Sequence, residues 1–139
     1  MITQSLCTVF KANLLSGLEN FASGTTYTYK IALYTADADL SADTLVYSTT
    51  HEIVGTGYTA GGEALTIVVP ATSGTTAFVS FDNVIWDPAS FSAKAALIYN
   101  ATTNAAVAVL DFGEEKTAVN TFTVTFPTAN ATNAIIRIS

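Results

Sequence analysis

Apolar residues recur with one period in the first two dozen positions and with another in the remainder of the chain. Ile2, Leu6, Val9, Phe10, Leu14, Leu18 and Phe21 return at helical spacings, while Thr8, Lys11, Asn13 and Glu19 fall on other faces. This predicts one amphipathic helix of about five turns within residues 1–23. Gly24 is its expected stop, since a glycine just past the last periodic position can take the left-handed conformation that ends helices. The apolar stripe must dock, either on the chain's own sheet or on a neighbouring subunit.

Beyond Gly24 the period becomes two. Tyr27, Tyr29, Ile31, Leu33 and Thr35 share one face of a first strand. A polar turn with Asp37, Asp39 and Asp43 follows, then a short strand over 45–47 and a glycine-rich loop, Gly55-Thr-Gly-Tyr-Thr-Ala-Gly-Gly62. Strands are expected over 63–69, ended by Pro70, over 77–81, and over 84–86, ended by the Asp87-Pro88 turn. Apolar strands over 93–99 and 105–112, separated by Asn100-Ala-Thr-Thr-Asn104, form a hairpin. Phe122, Val124 and Phe126 alternate with Thr121, Thr123 and Thr125. Ala134, Ile136 and Ile138 alternate with Ile135 and Arg137, so the chain is expected to end within a strand.

Short strands at intervals of about ten residues, without alternating helices, predict an all-β fold, an antiparallel β-sandwich carrying one N-terminal amphipathic helix. A jelly-roll-like arrangement is preferred and an immunoglobulin-like one is the alternative, because periodicity does not encode strand order. Residues 1–139 form one domain, with the helix in 1–23 and the sandwich in 25–139.

Composition narrows the function. Half of the 139 residues are hydrophobic and only 12% are charged, well under the share of an average soluble domain. Threonines and glycines break every apolar run below the length of a spanning helix, so no membrane partner is expected. A surface poor in charge suits coverage by other subunits, because desolvating it strands few charges. The net charge is −6, and Lys11, Lys30, Lys94, Lys116 and Arg137 are scattered along the sequence, which argues against nucleic acid. The start, MITQSLCTVFK, lacks a basic leader and an apolar core, so synthesis in a cytosol is expected.

Candidate chemistry is thin. The sole histidine, His51, stands beside Glu52 in a loop and reads as a solvated pair, and the sole cysteine, Cys7, reads as inert core on the helix. The glycine loop lacks the lysine and following helix of a phosphate cradle. Asp37, Asp39 and Asp43 offer oxygen ligands that calcium could use, but without the glycine and distal glutamate of an EF-hand loop, and an ordinary acidic turn is the better reading. Asp111, Glu114 and Glu115 beside Gly113 and Lys116 read as a solvated turn. No catalytic residue, cofactor or metal is assigned, and no enzyme is expected.

Three stretches carry a resemblance: Tyr29-Lys-Ile-Ala-Leu-Tyr-Thr35 with the glycine loop, Ala96-Leu-Ile-Tyr-Asn100 with Ala106-Val-Ala-Val-Leu-Asp-Phe-Gly113, and Phe122-Thr-Val-Thr-Phe-Pro127 with Ala131-Thr-Asn-Ala-Ile-Ile-Arg-Ile138. They resemble small structural proteins of tailed bacteriophages and prophages, described as head decoration, cement or fibre proteins. The resemblance implies a virion component without catalytic residues. It would be a capsid decoration or cement protein that binds the assembled head, with the major capsid protein or other virion subunits as partners and a dimer or trimer as its own state. The carboxylate-rich turn at Asp37 to Asp43 departs from that group.

Two other readings are open. One is a tail-associated fibre, baseplate or adaptor protein. The other is a carbohydrate-binding β-sandwich module that would use Tyr58, Trp86 and Tyr99 as stacking platforms.

Overall fold

In the computed structural model, which describes all 139 residues, two short N-terminal elements precede a set of antiparallel strands. β1 (Ser5–Leu6) leads into α1 (Thr8–Leu15), the one helix. The strands are β2 (Tyr29–Tyr34), β3 (Glu63–Ala64), β4 (Ile67–Ser73), β5 (Thr76–Phe81), β6 (Val84–Trp86), β7 (Phe91–Asn100), β8 (Ala106–Ala118), β9 (Phe122–Val124) and β10 (Ile136–Ile138). They form a five-stranded sheet in the order β1-β8-β7-β2-β3, a three-stranded sheet β10-β5-β4 and a two-stranded sheet β6-β9. The expected all-β, sandwich-like architecture with one N-terminal helix is therefore present.

The helix is much shorter than its apolar pattern suggested. It ends at Leu15 in a Schellman motif, in which Gly17 N–H donates to Leu14 O and Leu18 N–H to Asn13 O. Gly17, with φ +74°, is the stop, so Gly24 ends nothing helical. Leu18 and Phe21 continued the spacing by coincidence. Phe21 is instead held by stacking on Tyr29, with ring centroids 4.5 Å apart.

The core is built on β7 and β2. Their ladder runs from Tyr29 opposite Asn100 to Tyr34 opposite Ala95. Ala95 to Asn100 are consecutively buried, as expected of a strand covered on both faces. The smaller sheets close over it through aromatic contacts: Tyr29 and Phe21 meet Phe81 of β5, Phe91 meets Trp86 of β6 and Phe122 of β9, and Phe81 meets Phe126.

Several expected strand limits are corrected. The strand expected over 63–69 is split. Its first residues pair with β2, then the chain crosses to the small sheet at Leu65 and Thr66, whose backbones bond Tyr29 and Asp82 respectively. Pro70 does not end β4, which runs on to Ser73. The β4–β5 register shifts between Val68 and Ala71, and β4 is an edge strand, so the missing N–H of Pro70 costs no ladder bond. β8 likewise continues past Phe112 to Ala118, so the acidic stretch around Gly113 is a wide irregularity within a strand and not a turn. The strand expected over 45–47 is a single bridge, Val46 with Ala105. Alternation over 122–126 is as expected: Phe122, Val124 and Phe126 are buried, and Thr121, Thr123 and Thr125 are exposed.

Candidate functional site

Glu52 is the centre of the densest polar cluster. It accepts hydrogen bonds from the Tyr47 hydroxyl (2.6 Å), the Tyr58 hydroxyl and the backbone N–H of Gly61 (2.8 Å). Tyr58 Oη in turn accepts from Leu33 N–H of β2 (2.9 Å), and Tyr99 Oη donates to Gly61 O (2.6 Å). Tyr47 and Tyr99 stack at 4.6 Å. Burial, then the bond to Glu52, pushes the Tyr47 and Tyr58 hydroxyls well above the usual phenol range. The cluster therefore pins the segment from 47 to 62 onto the large sheet. Glu52 is not the solvated neighbour of His51 that its place in the sequence suggested. Its partners Tyr47, Tyr58 and Gly61 lie within nine residues of it, but no helical or strand period relates them to Glu52.

The glycines of this segment serve close packing. A Cβ on Gly62 would lie 1.7 Å from Ile31 O, and one on Gly57 1.8 Å from Pro88 O. The loop lies flush against β2 and against the Asp87-Pro88 turn, and that contact accounts for its composition without any phosphate.

The remaining candidates do not assemble into chemistry. Asp37, Asp39 and His51 do line one depression of about 320 Å³, but Asp43 stands outside its lining. No three His, Cys, Asp or Glu side chains stand close enough to hold a metal. Asp39 lies 3.6 Å from the amine of Met1. Cys7 is fully buried at the N-cap of α1, and burial pushes its thiol up to about 11, so the thiolate is scarce at neutral pH. Trp86 and Tyr99 are buried and the Tyr58 hydroxyl is committed to Glu52. Trp86 and Tyr99 therefore present no open face to a sugar, whereas Tyr58 is only half-buried. Glu19 is also buried: Asn100 Nδ2 donates to its Oε1 at 2.9 Å, while its Oε2 has no partner. Burial raises the Glu19 carboxyl above the usual range.

Two further surface grooves lie apart from these clusters. The larger, about 570 Å³, lies between β9 and the stretch Leu110 to Phe112 of β8. Phe126 N–H is directed to Asn83 and Asn120 O to Ala89, both on the β6 side. By the alternation of an antiparallel ladder, Thr121, Thr123 and Thr125 therefore turn their backbone groups to the open side. The charges here are mutually satisfied, Lys94 with Asp111 and Lys116 with Glu114 at 2.8 Å. The bonds from Lys94 and Lys116 hold the Asp111 and Glu114 carboxyls below their usual range.

The second depression lies between α1 and β10 and is apolar. It has two contiguous parts of about 270 and 130 Å³ that share Leu14, Ile136 and Ile138. Leu15, nine-tenths exposed, lines its larger part. The sequence could not place this face, because its walls come from opposite ends of the chain. No protein-family model, curated protein or solved structure matches the chain.

Proposed function

We propose that this jelly-roll-like sandwich is a structural subunit of a bacteriophage particle, a decoration or cement protein bound to the assembled head. One observation carries the reading: large apolar side chains stand exposed on a surface that has few charges. Leu15, Val54 and Val119 are each more than three-quarters exposed, and Leu45, Ile85 and Ile138 more than half. A chain that is only 12% charged leaves few solvated groups to compensate for that apolar area. Such surfaces are the ones subunits cover. The Thr, Ala and Val side chains around them can be desolvated without stranding a charge. Dimers or trimers of the protein, each copy touching the major capsid protein, would suit a symmetric shell. Mass action then adds the binding energy of every copy to the stability of the shell. The protein acts by contact alone in this reading, without cofactor or catalysis.

The test is thermal. Particles lacking the protein should release their genome at lower temperature than complete ones, and purified protein added back should restore the difference. Depleted particles that resist heat as well as complete ones would overturn the cement reading. The number of copies per particle distinguishes the alternative, since hundreds indicate a head position and a few indicate a tail fibre, baseplate or adaptor.

A further inference from the structure

Two of the five basic residues of an acidic chain converge on its most apolar groove. Lys11 of α1 and Arg137 of β10 both line the larger part of the depression between those elements, with Leu14, Leu15, Ile136 and Ile138. No acidic residue lines either part, although acids outnumber bases eleven to five. Neither cation is neutralised within the chain. The ion pairs are Met1 amine with Asp39, Lys94 with Asp111 and Lys116 with Glu114, and Arg137 reaches only a backbone oxygen, Ala131 O, at 3.3 Å. The geometry points to a short acidic and apolar segment of another polypeptide as the occupant of this groove. Its apolar side chains enter between α1 and β10, and its carboxylate meets Lys11 and Arg137.

Three features select that occupant. β10 pairs only with β5 and is the edge of its sheet, so its open side presents backbone donors and acceptors that an extended main chain satisfies and a lipid tail does not. The paired cations next to apolar walls ask for a carboxylate beside apolar side chains, because a neutral apolar strand would leave both charges partly desolvated and unpaired. A second copy docking by the same face would set Lys11 and Arg137 against their own symmetry mates, and like charges across a two-fold are repulsive. Self-association therefore uses another surface. On the proposed virion reading, on which the source of the segment rests, the segment belongs to a shell subunit, and this groove is the attachment point.

The test begins with selection of random twelve-residue peptides displayed on a library against the full-length protein. Enriched peptides should combine apolar residues with at least one Asp or Glu. A synthetic copy of the best one should bind Lys11→Glu/Arg137→Glu at least tenfold more weakly, and replacing its carboxylate by Lys should restore binding to that variant and weaken it to the parent. Leu15→Ser should also weaken it. The exposed positions make unchanged melting the expectation. Should the reversed variant melt low, Lys11→Gln/Arg137→Gln serves instead, again with a weakened peptide complex. Peptides without acidic preference, or binding indifferent to these substitutions, would overturn the proposal. So would binding of dodecanoate or phosphatidylglycerol vesicles with no peptide enriched. A charge-reversed protein that enters particles at the parental copy number removes this attachment point and leaves the virion reading intact. A parent protein absent from particles removes the virion reading, and peptide selection still decides the groove.

Discussion

β7 and β9 are both strands rich in apolar residues, yet they occupy opposite kinds of place. In β7 the run from Ala95 to Asn100 is buried residue after residue, because β2 and β8 flank it and packed layers cover both faces. In β9 the buried positions alternate with exposed threonines, because one face looks out. Strict alternation therefore marks the rim of this molecule, and loss of alternation marks its centre. The same contrast separates the large-sheet side, clamped by Glu52, the tyrosines and the glycine loop, from the side formed by α1, β9 and β10. On the latter, exposed apolar residues and an open strand edge remain available to a partner.

The strongest way to break this contrast is to place a carboxylate on successive positions of each strand. Leu97→Asp and Ile98→Asp should each prevent folding, since both faces are closed and an unpaired buried carboxylate costs on the order of 4 kcal/mol or more. In the rim strand only one of the two should do so: Val124→Asp should unfold the protein, and Thr123→Asp should leave its melting nearly unchanged. Equal tolerance of Leu97→Asp and Thr123→Asp in a melting experiment would refute the distinction between centre and rim.

Smaller effects sharpen it. Gly62→Ala sets a Cβ against Ile31 O at a position with φ +78°, and should cost about 2 to 4 kcal/mol by urea denaturation. Glu52→Gln replaces one acceptor by a donor among groups that all donate, and a loss of about 1 to 3 kcal/mol is expected. A parental midpoint for Glu52→Gln would show that the tyrosine cluster does not hold the loop.

The buried pair of Glu19 and Asn100 sets a pH dependence. Because burial raises the Glu19 carboxyl in the folded state, the folded protein keeps a proton that the unfolded chain has already lost. Stability from this group is complete below the unfolded value and declines as pH rises through the folded one. Tyr29, whose hydroxyl burial pushes up to about 12 and whose shift Glu19 adds to, titrates only far above this range. Midpoints measured from pH 4 upward should fall across that window in the parent, and Glu19→Gln should flatten the fall. An unchanged slope in the variant would assign the dependence elsewhere. The smallest effect is expected at the surface: His51 holds φ +62°, so His51→Gly should raise stability by about 0.5 kcal/mol. A decrease would mean that the His51 side chain makes a contact worth more than the strain.

Patterning along the chain sufficed for those elements whose partners lie nearby in sequence. The hairpin of β7 and β8, the alternation over 122–126 and the all-β class follow from local periodicity and turn residues, because a strand's face is decided by its own side chains. The helix limit was also local, written in Gly17, but apolar spacing that ran on through Leu18 and Phe21 hid it. Other features had no local signal. The crossing at Leu65 and Thr66 depends on which sheet edge is open. Pro70 is tolerated because β4 lies at an edge. Glu52 matters because an irregular loop folds Tyr47, Tyr58 and Gly61 back onto it without any regular period, and Lys11 and Arg137 share a groove only once the chain's two ends pack together. Periodicity reports whether a side chain faces in or out, whereas its neighbours are decided by the order of strands, and that order is settled by the packing of the whole core.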